Sequence, residues 1–200
     1  MIHNILHISD THGHHRQLEN LPDADVIVHT GDVTEDGTEE ELLDFLEWFR
    51  DLPYRYKVFI AGNHDSCLYG TSIEGLDENC YYLYGNSVII EGVKFYGIPM
   101  LPGDILSGRY AEMIEGIPED TDILLTHQPP LGILDEEDYP GDVRILSKVL
   151  SVKPQFHLVG HNHDSYGRMD GAATTFVNGS LADRQCMLEK HPVLIEFIVS

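Results

Sequence analysis

The sequence predicts a layered α/β domain in which helices cover the faces of β-sheets. Three observations carry that expectation: short apolar runs rich in Ile, Val, Leu and Phe recur along the chain, segments of helical periodicity fall between them, and no repeat, linker or low-complexity tract interrupts the series. The 200 residues, 42% of them hydrophobic, suit one domain spanning 1–200. A domain of this size buries roughly 70% of the surface its unfolded chain exposes.

In chain order, I-L-H-I (5–8), V-I-V-H (26–29), V-F-I-A (58–61), I-L-L-T (123–126), F-H-L-V (156–159) and T-F-V-N (175–178) are short, bounded by turn formers, and read as strands. Segments 81–84, 87–90, 93–96 and 193–198 read the same way, with Glu91-Gly92 joining 87–90 to 93–96 as a hairpin. Thr38 and Glu41 form a capping box, and Leu42, Leu43, Phe45, Leu46 and Phe49 follow at helical spacing until Pro53 closes the helix. Glu39, Glu40 and Glu41 lie where the helix dipole favours negative charge. Weaker helical patterns cover 109–116 and 142–151, the latter with Val143, Leu146, Val149 and Leu150 facing one way. Segments 99–108 and 129–142, rich in Pro, Gly and acids, read as surface loops.

The 34 Asp and Glu against 12 Lys and Arg give a formal charge of -22. Such a surface repels polyanions, so neither long nucleic acid nor an acidic membrane is an expected partner, and an anionic substrate must be small or met by bound cations. Cys67, Cys80 and Cys186 are odd in number and show no CxxC spacing, which gives neither a disulfide framework nor a zinc ribbon and makes the cytoplasm the expected location. The first residues lack a basic leader with a long apolar stretch, and no later run approaches about eighteen apolar residues, so neither export nor a membrane span is expected.

Five apolar runs end in potential metal ligands: Asp10 and His12, Asp32, Asn63 and His64, His127, and His161 and His163. Strand ends on one rim of a sheet converge in space, so donors distributed this way can build a site that no single segment could hold. Gly31, Gly62 and Gly160 directly precede these ligands and permit turns that a side chain would obstruct.

The blocks D-x-H, G-D, G-N-H, H and G-H-x-H, in that order across 10–163, resemble the calcineurin-like metallophosphoesterase family. T-H-Q-P-P-L-G-I-L-D (126–135), Y-G-I-P (96–99) and T-T-F-V-N-G-S (174–180) further resemble its small metallophosphoesterase-domain-containing (MPPED-type) subgroup. The resemblance implies a four-layer α-β-β-α sandwich, two packed mixed sheets flanked by helices with metals at one edge, as one metallophosphoesterase domain over 1–200. It implies one divalent ion on Asp10, His12, Asp32 and His163 and a second on Asp32, Asn63, His127 and His161, with Asp32 bridging. Manganese is the first expectation, and iron, zinc, nickel and cobalt also suit imidazole and oxygen donors.

The implied activity is that of a phosphodiesterase on nucleotide-like or cyclic-nucleotide substrates, through attack by a metal-bridging hydroxide with His64 as general acid. A phosphomonoesterase, including a protein phosphatase, is the enzymatic alternative. A non-catalytic scaffold of the same fold is the alternative of a different class, disfavoured by the complete ligand set and His64. Many relatives carry Asp three residues after the bridging position where this chain has Glu35, so Glu35 or Asp65 is expected to orient His64. Elsewhere, His3, His7, His29 and His157 are expected to be structural, His14 and His15 solvent-facing, Cys67 a buried filler, and Tyr81, Tyr82 and Tyr84 a packing face. The acidic run 135–138 is expected to be a solvated loop.

Overall fold

The computed structural model describes residues 1–197, which form eleven strands and four α-helices. The strands are β1 (Asn4–Ile8), β2 (Val26–His29), β3 (Tyr56–Phe59), β4 (Cys80–Tyr82), β5 (Asn86–Ile90), β6 (Val93–Ile98), β7 (Ile123–Thr126), β8 (Phe156–Val159), β9 (Gly167–Asp170), β10 (Thr175–Asn178) and β11 (Val193–Glu196). The helices are α1 (Glu39–Asp51), α2 (Pro102–Ser107), α3 (Arg109–Glu115) and α4 (Val143–Val152).

Two mixed sheets result. The first has the order β11-β1-β2-β3-β4, with β1 to β4 parallel and β11 antiparallel to β1. The second has the order β5-β6-β7-β8-β10-β9, its four inner strands parallel and both edges antiparallel. Parallel strands covered on both faces read as continuous apolar runs, and the side-chain period of two divides each run between two cores. Ile5, Val28 and Val58 of the first sheet meet Phe95, Leu125 and Leu158 of the second in the space between the sheets. Leu6, Ile27 and Phe59 point the other way, onto Phe45, Trp48 and Phe49 of α1. Tyr96, Leu124 and Phe176 leave the outer face of the second sheet to pack on Met113 and Ile114 of α3 and Ile145 and Val149 of α4. Helix, sheet, sheet and helices therefore stack in four layers, as the resemblance implied.

The capping signals act as expected, but the apolar face read for α4 does not: Ile145 and Val149 are buried, while Val143 and Leu150 are exposed. The Thr38 side chain accepts from Glu41 N while the Glu41 carboxylate accepts from Thr38 N, completing the capping box of α1, and the helix stops one residue short of Leu52-Pro53. Asp142 caps α4 by accepting from Arg144 N at 2.6 Å. Glu91 and Gly92, with φ of 50° and 91°, turn β5 into β6 in the left-handed conformation a two-residue hairpin requires.

Several boundaries differ from expectation. The run at 58–61 pairs instead over Tyr56–Phe59, and 81–84 over Cys80–Tyr82. The last strand is paired over Val193–Glu196, while Ile198 lies outside the described residues. Segment 99–108 is not all loop, because Pro102 starts α2 with its fixed φ and no amide to satisfy. β9 was unforeseen: G-R-M-D has no apolar alternation and is a strand only because β10 offers it a free edge. No helix among the described residues is long and apolar enough to cross a membrane.

Three histidines lie wholly inside the fold beneath the carboxyl ends of the strands. His7 Nε2 pairs with Thr30 Oγ1 at 2.9 Å, His29 Nε2 with Thr11 Oγ1 at 3.0 Å, and His157 Nε2 with Thr126 Oγ1 at 2.8 Å. These are the structural roles expected of them, whereas His3 is exposed just before β1. Burial pushes all three down to about 3. The unfolded chain binds these protons below about pH 6.5 and the folded chain does not, so their contribution is intact above that pH and lost as pH falls toward about 3. The unfolding free energy from urea titration should therefore drop between pH 6.5 and 5, above the range of ordinary carboxylates, by up to about 1.4 kcal/mol per pH unit for each histidine, and the midpoint with it. A midpoint flat across that interval would contradict it.

Candidate metal centre

The parallel strands of both sheets deliver their carboxyl ends to one rim, and a parallel bridge between Ser9 and Ser180 ties the sheets together there. Beyond β1 and β2 the two chains turn in step: Asp10 N donates to Gly31 O at 2.9 Å, and His12 N to Asp32 O at 3.0 Å. Asp10, His12, Asp32 and His161 all hold positive φ, between 43° and 69°. Non-glycine residues there cost on the order of 1–3 kcal/mol each and persist where surrounding structure fixes them, commonly at functional sites. Of the expected glycines, Gly31 supplies conformation, with φ of 104°, whereas Gly160 supplies space, since a Cβ there would stand 2.1 Å from Ser9 Oγ and 2.4 Å from Asp10 Oδ2.

The rim brings all seven expected ligands together in two groups. Asp10, His12 and His163 form one, with His163 Nε2 3.2 Å from Asp10 Oδ1 and 3.4 Å from His12 Nε2. Asp32, His127 and His161 form the other, where His127 Nε2 lies 3.3 Å from Asp32 Oδ2 and 3.1 Å from Asn63 Oδ1. Asp32 Oδ2 is also 3.8 Å from His12 Nε2, so this carboxylate stands between the groups.

A ring of hydrogen bonds aims these donors. His127 Nδ1 and His163 Nδ1 lie 2.7 Å from the carbonyl oxygens of Thr30 and Asp183, which selects the Nδ1–H tautomer and turns each Nε2 lone pair toward the carboxylates. Ser180 Oγ donates to Asp10 Oδ2 at 2.8 Å, the His161 amide donates to both Asp10 oxygens at 3.1 Å, and the His64 amide donates to Asp32 Oδ1 at 2.8 Å.

The expectation for the group that orients His64 fails in a specific way. Neither the Glu35 nor the Asp65 carboxylate orients His64; its Nδ1 donates instead to the Glu35 main-chain carbonyl, at 2.7 Å. The Glu35 side chain passes by and places Oε2 3.0 Å from His12 Nδ1. Asp65 is consumed in holding the loops, accepting from Gly62 N at 2.7 Å, Thr34 N at 2.9 Å and Thr34 Oγ1 at 2.7 Å.

Other readings divide. Tyr82 packs on Phe59 as expected, whereas Cys67 lies against the core under α1 only partly buried and not as the buried filler expected. His15 is not solvent-facing: it is buried, with Nε2 3.0 Å from Asp44 Oδ2 and its ring against Phe45 and Trp48. His14 is half-buried and pairs with Gln17. The acidic run is only partly solvated, because Asp135 accepts from Gly132 N and Gly141 N and so closes its own loop. Sequence reasoning missed Tyr139, which this loop carries to a cavity shared with His161 and His163, and the half-buried Cys186, whose thiol burial and the Glu35 charge push up to about 11. Neither sits in a motif.

Asp10 and Asp32 are buried, yet among the described residues their ion-pair partners are histidines only, with no Lys or Arg. Burial opposes their ionisation, but the His163 hydrogen bond and the surrounding imidazoles hold Asp10 well below the usual carboxylate range, and His127 lowers Asp32 from its ordinary value. Burial would lower His127, yet the Asp32 charge raises it to about 9; His161, half-buried and facing His127, falls to about 4. Buried carboxylates without fixed cations demand positive charge, so protons and metal ions compete for the same lone pairs. Two carboxylates, four imidazoles and an amide oxygen, with no thiolate, fit a borderline divalent ion and not a structural zinc.

A family model described as calcineurin-like phosphoesterase matches residues 3–165. The chain belongs to this family. Its members use divalent metals to hydrolyse phosphoric esters, and the two donor groups are where this calcineurin-like phosphoesterase can hold them. It is 34% identical over 226 residues to metallophosphoesterase domain-containing protein 1 of Homo sapiens, covering 94% of this chain and 69% of that protein. A UPF0046 protein of Caenorhabditis elegans is 32% identical over 216 residues, covering 94% of this chain and 72% of its own. Among solved structures, TT1561 of Thermus thermophilus superposes with a TM-score of 0.66 at 15% identity over 89% of each chain, a likeness of fold.

The crowding at Gly160 gives a test of the rim. Gly160→Ala should displace Asp10 and weaken divalent-metal binding about 10- to 100-fold, the usual effect of disturbing a ligand's support. Metal titration by calorimetry would measure it; wild-type affinity in a folded variant would show that the close approach does not matter.

Proposed function

We propose that this protein is a two-metal phosphodiesterase acting on nucleotide-like or cyclic-nucleotide diesters. In this reading Asp10, His12, Asp32 and His163 hold one ion, Asp32, Asn63, His127 and His161 hold the other, and manganese is the first candidate. A pair of divalent ions bound there supplies Lewis acidity toward phosphoryl oxygens and lowers the pKa of water toward neutrality.

The observation that carries the choice of diester is that two separate cavities open onto the ligand cluster. One, of about 530 Å³, is lined by His12, His14, Glu35, Glu40 and Asp44; the other, of about 260 Å³, by Glu136, Tyr139, His161, His163 and Arg184. A diester has a substituent for each, and a monoester for only one. His64 stands beside the first cavity, its ring centroid 4.6 Å from that of His12. With Nδ1–H committed to the Glu35 carbonyl, it is the imidazolium form that carries an Nε2–H to protonate a departing alkoxide on that side; burial opposes that form, but the Asp32 charge and the Glu35 carbonyl raise His64 above its ordinary value. The carboxylates there repel an anionic leaving arm. The second cavity offers the Tyr139 ring, 63% exposed, and the Arg184 guanidinium to the retained arm, which suits a base and a further negative charge. A cytoplasmic location belongs to the same reading and rests on three unpaired thiols.

Hydrolysis of bis(p-nitrophenyl) phosphate should exceed that of p-nitrophenyl phosphate in manganese-reconstituted protein, and preference for the monoester would overturn the diesterase reading. Comparing 2′,3′- with 3′,5′-cyclic nucleotides would then narrow the substrate. His64→Ala should retain two ions per chain yet lose about 10²–10⁴-fold in turnover, most on esters with poor leaving groups. Unchanged turnover on those esters removes His64 from the acid role.

A further inference from the structure

We propose that a pocket at the junction of α2 and α3 binds a free α-amino acid with an aromatic side chain, at a place separate from the metal centre. The cavity, of about 510 Å³, lies between segment 69–72, the residues just past β4 and the two helices, and it shares no lining residue with the two cavities at the ligand cluster. Asp104 of α2 lines it while being only 1% exposed. One of its oxygens is answered and the other is not: the Tyr84 hydroxyl donates to Oδ1 at 2.6 Å, whereas Oδ2 has no hydrogen-bond partner. A buried carboxylate left half-satisfied calls for a donor, and one with no fixed cation beside it calls for a donor that carries positive charge.

Arg109 stands on the same tyrosine. Its guanidinium lies 4.8 Å from the centre of the Tyr84 ring, and among the described residues it is in no ion pair, whereas each of the other six arginines is. One side chain thus holds an oxygen that needs a cation beside a guanidinium that needs an anion. A ligand that satisfies both carries an ammonium and a carboxylate a few atoms apart, which is the main chain of a free α-amino acid. Such a zwitterion has no net charge, so the protein's charge of -22 does not repel it as it would an organic anion. The side-chain class follows from Tyr69, whose ring packs so closely on Gly103 that a Cβ there would stand 2.4 Å from ring carbons, yet the residue stays 50% exposed where it lines the cavity. A fixed, half-exposed ring offers an aromatic side chain a stacking face. The pocket takes no part in the proposed hydrolysis, so its occupancy does not depend on that reading.

Calorimetric titration of the manganese-loaded full chain with L-phenylalanine tests the site, and saturable binding of one molecule per chain is expected. 3-Phenylpropionate, which lacks the ammonium, and phenethylamine, which lacks the carboxylate, should each bind about 10- to 100-fold more weakly through loss of one charge-assisted contact. Arg109→Met should weaken L-phenylalanine by a similar factor while leaving bis(p-nitrophenyl) phosphate turnover unchanged. Asp104→Asn should match the loss of the ammonium; if that buried change unfolds the chain, Arg109→Met and the two analogues still decide the matter. No saturable binding of L-phenylalanine, binding of either analogue as tight as that of the amino acid, or wild-type affinity in Arg109→Met would overturn the proposal. Intact binding in a protein that fails to hydrolyse the diester would count against the phosphodiesterase reading alone.

Discussion

Two carboxylates are taken out of water at the rim of this fold, and among the described residues no lysine or arginine answers them. Asp10 and Asp32 sit among imidazoles on strained backbone, and ionised groups in that position are tolerated only with positive charge close by. The rest of the rim follows from this requirement. Left-handed turns aim the carboxylates at a common space, Gly160 lets the opposite sheet approach Asp10 closely, and carbonyls of Thr30 and Asp183 orient two histidines as lone-pair donors. Buried Thr–His pairs beneath hold the strand ends that carry those turns.

Much of this was legible because strand ends and ligands coincide in the sequence. Each apolar run both declares a strand and, by stopping at Gly-Asp, Gly-Asn-His or Gly-His-x-His, declares which residues reach the rim. The helix at Glu39–Asp51 was equally legible, since a capping box and a proline are local signals. Strand β9 was not, because its pairing is supplied by β10 and not by its own composition.

The second shell was illegible for a different reason: it depends on side-chain length and on main-chain atoms. Glu35 has one methylene more than the aspartate the family resemblance leads one to expect. Its carboxylate lies beside His12, while its carbonyl, available whatever the side chain, accepts a hydrogen bond from His64 Nδ1. A sequence pattern records residue types, so it points to a Glu–His pair and has no means of indicating that the backbone makes the bond. Asp65 was misleading in the same sense, since three main-chain amides and a hydroxyl already satisfy it.

Strong acidity overall and a demand for cations at one rim belong to a single electrostatic design. A charge of -22 spread over the surface draws divalent ions from solution without distinguishing among them. Discrimination must then come from donor type at short range, where imidazole, carboxylate and amide oxygen at the centre accept a broad set of borderline divalent metals. Glu35 adds a carboxylate beside the centre, its Oε2 3.0 Å from His12 Nδ1, and so brings further negative charge to one of the ligand imidazoles.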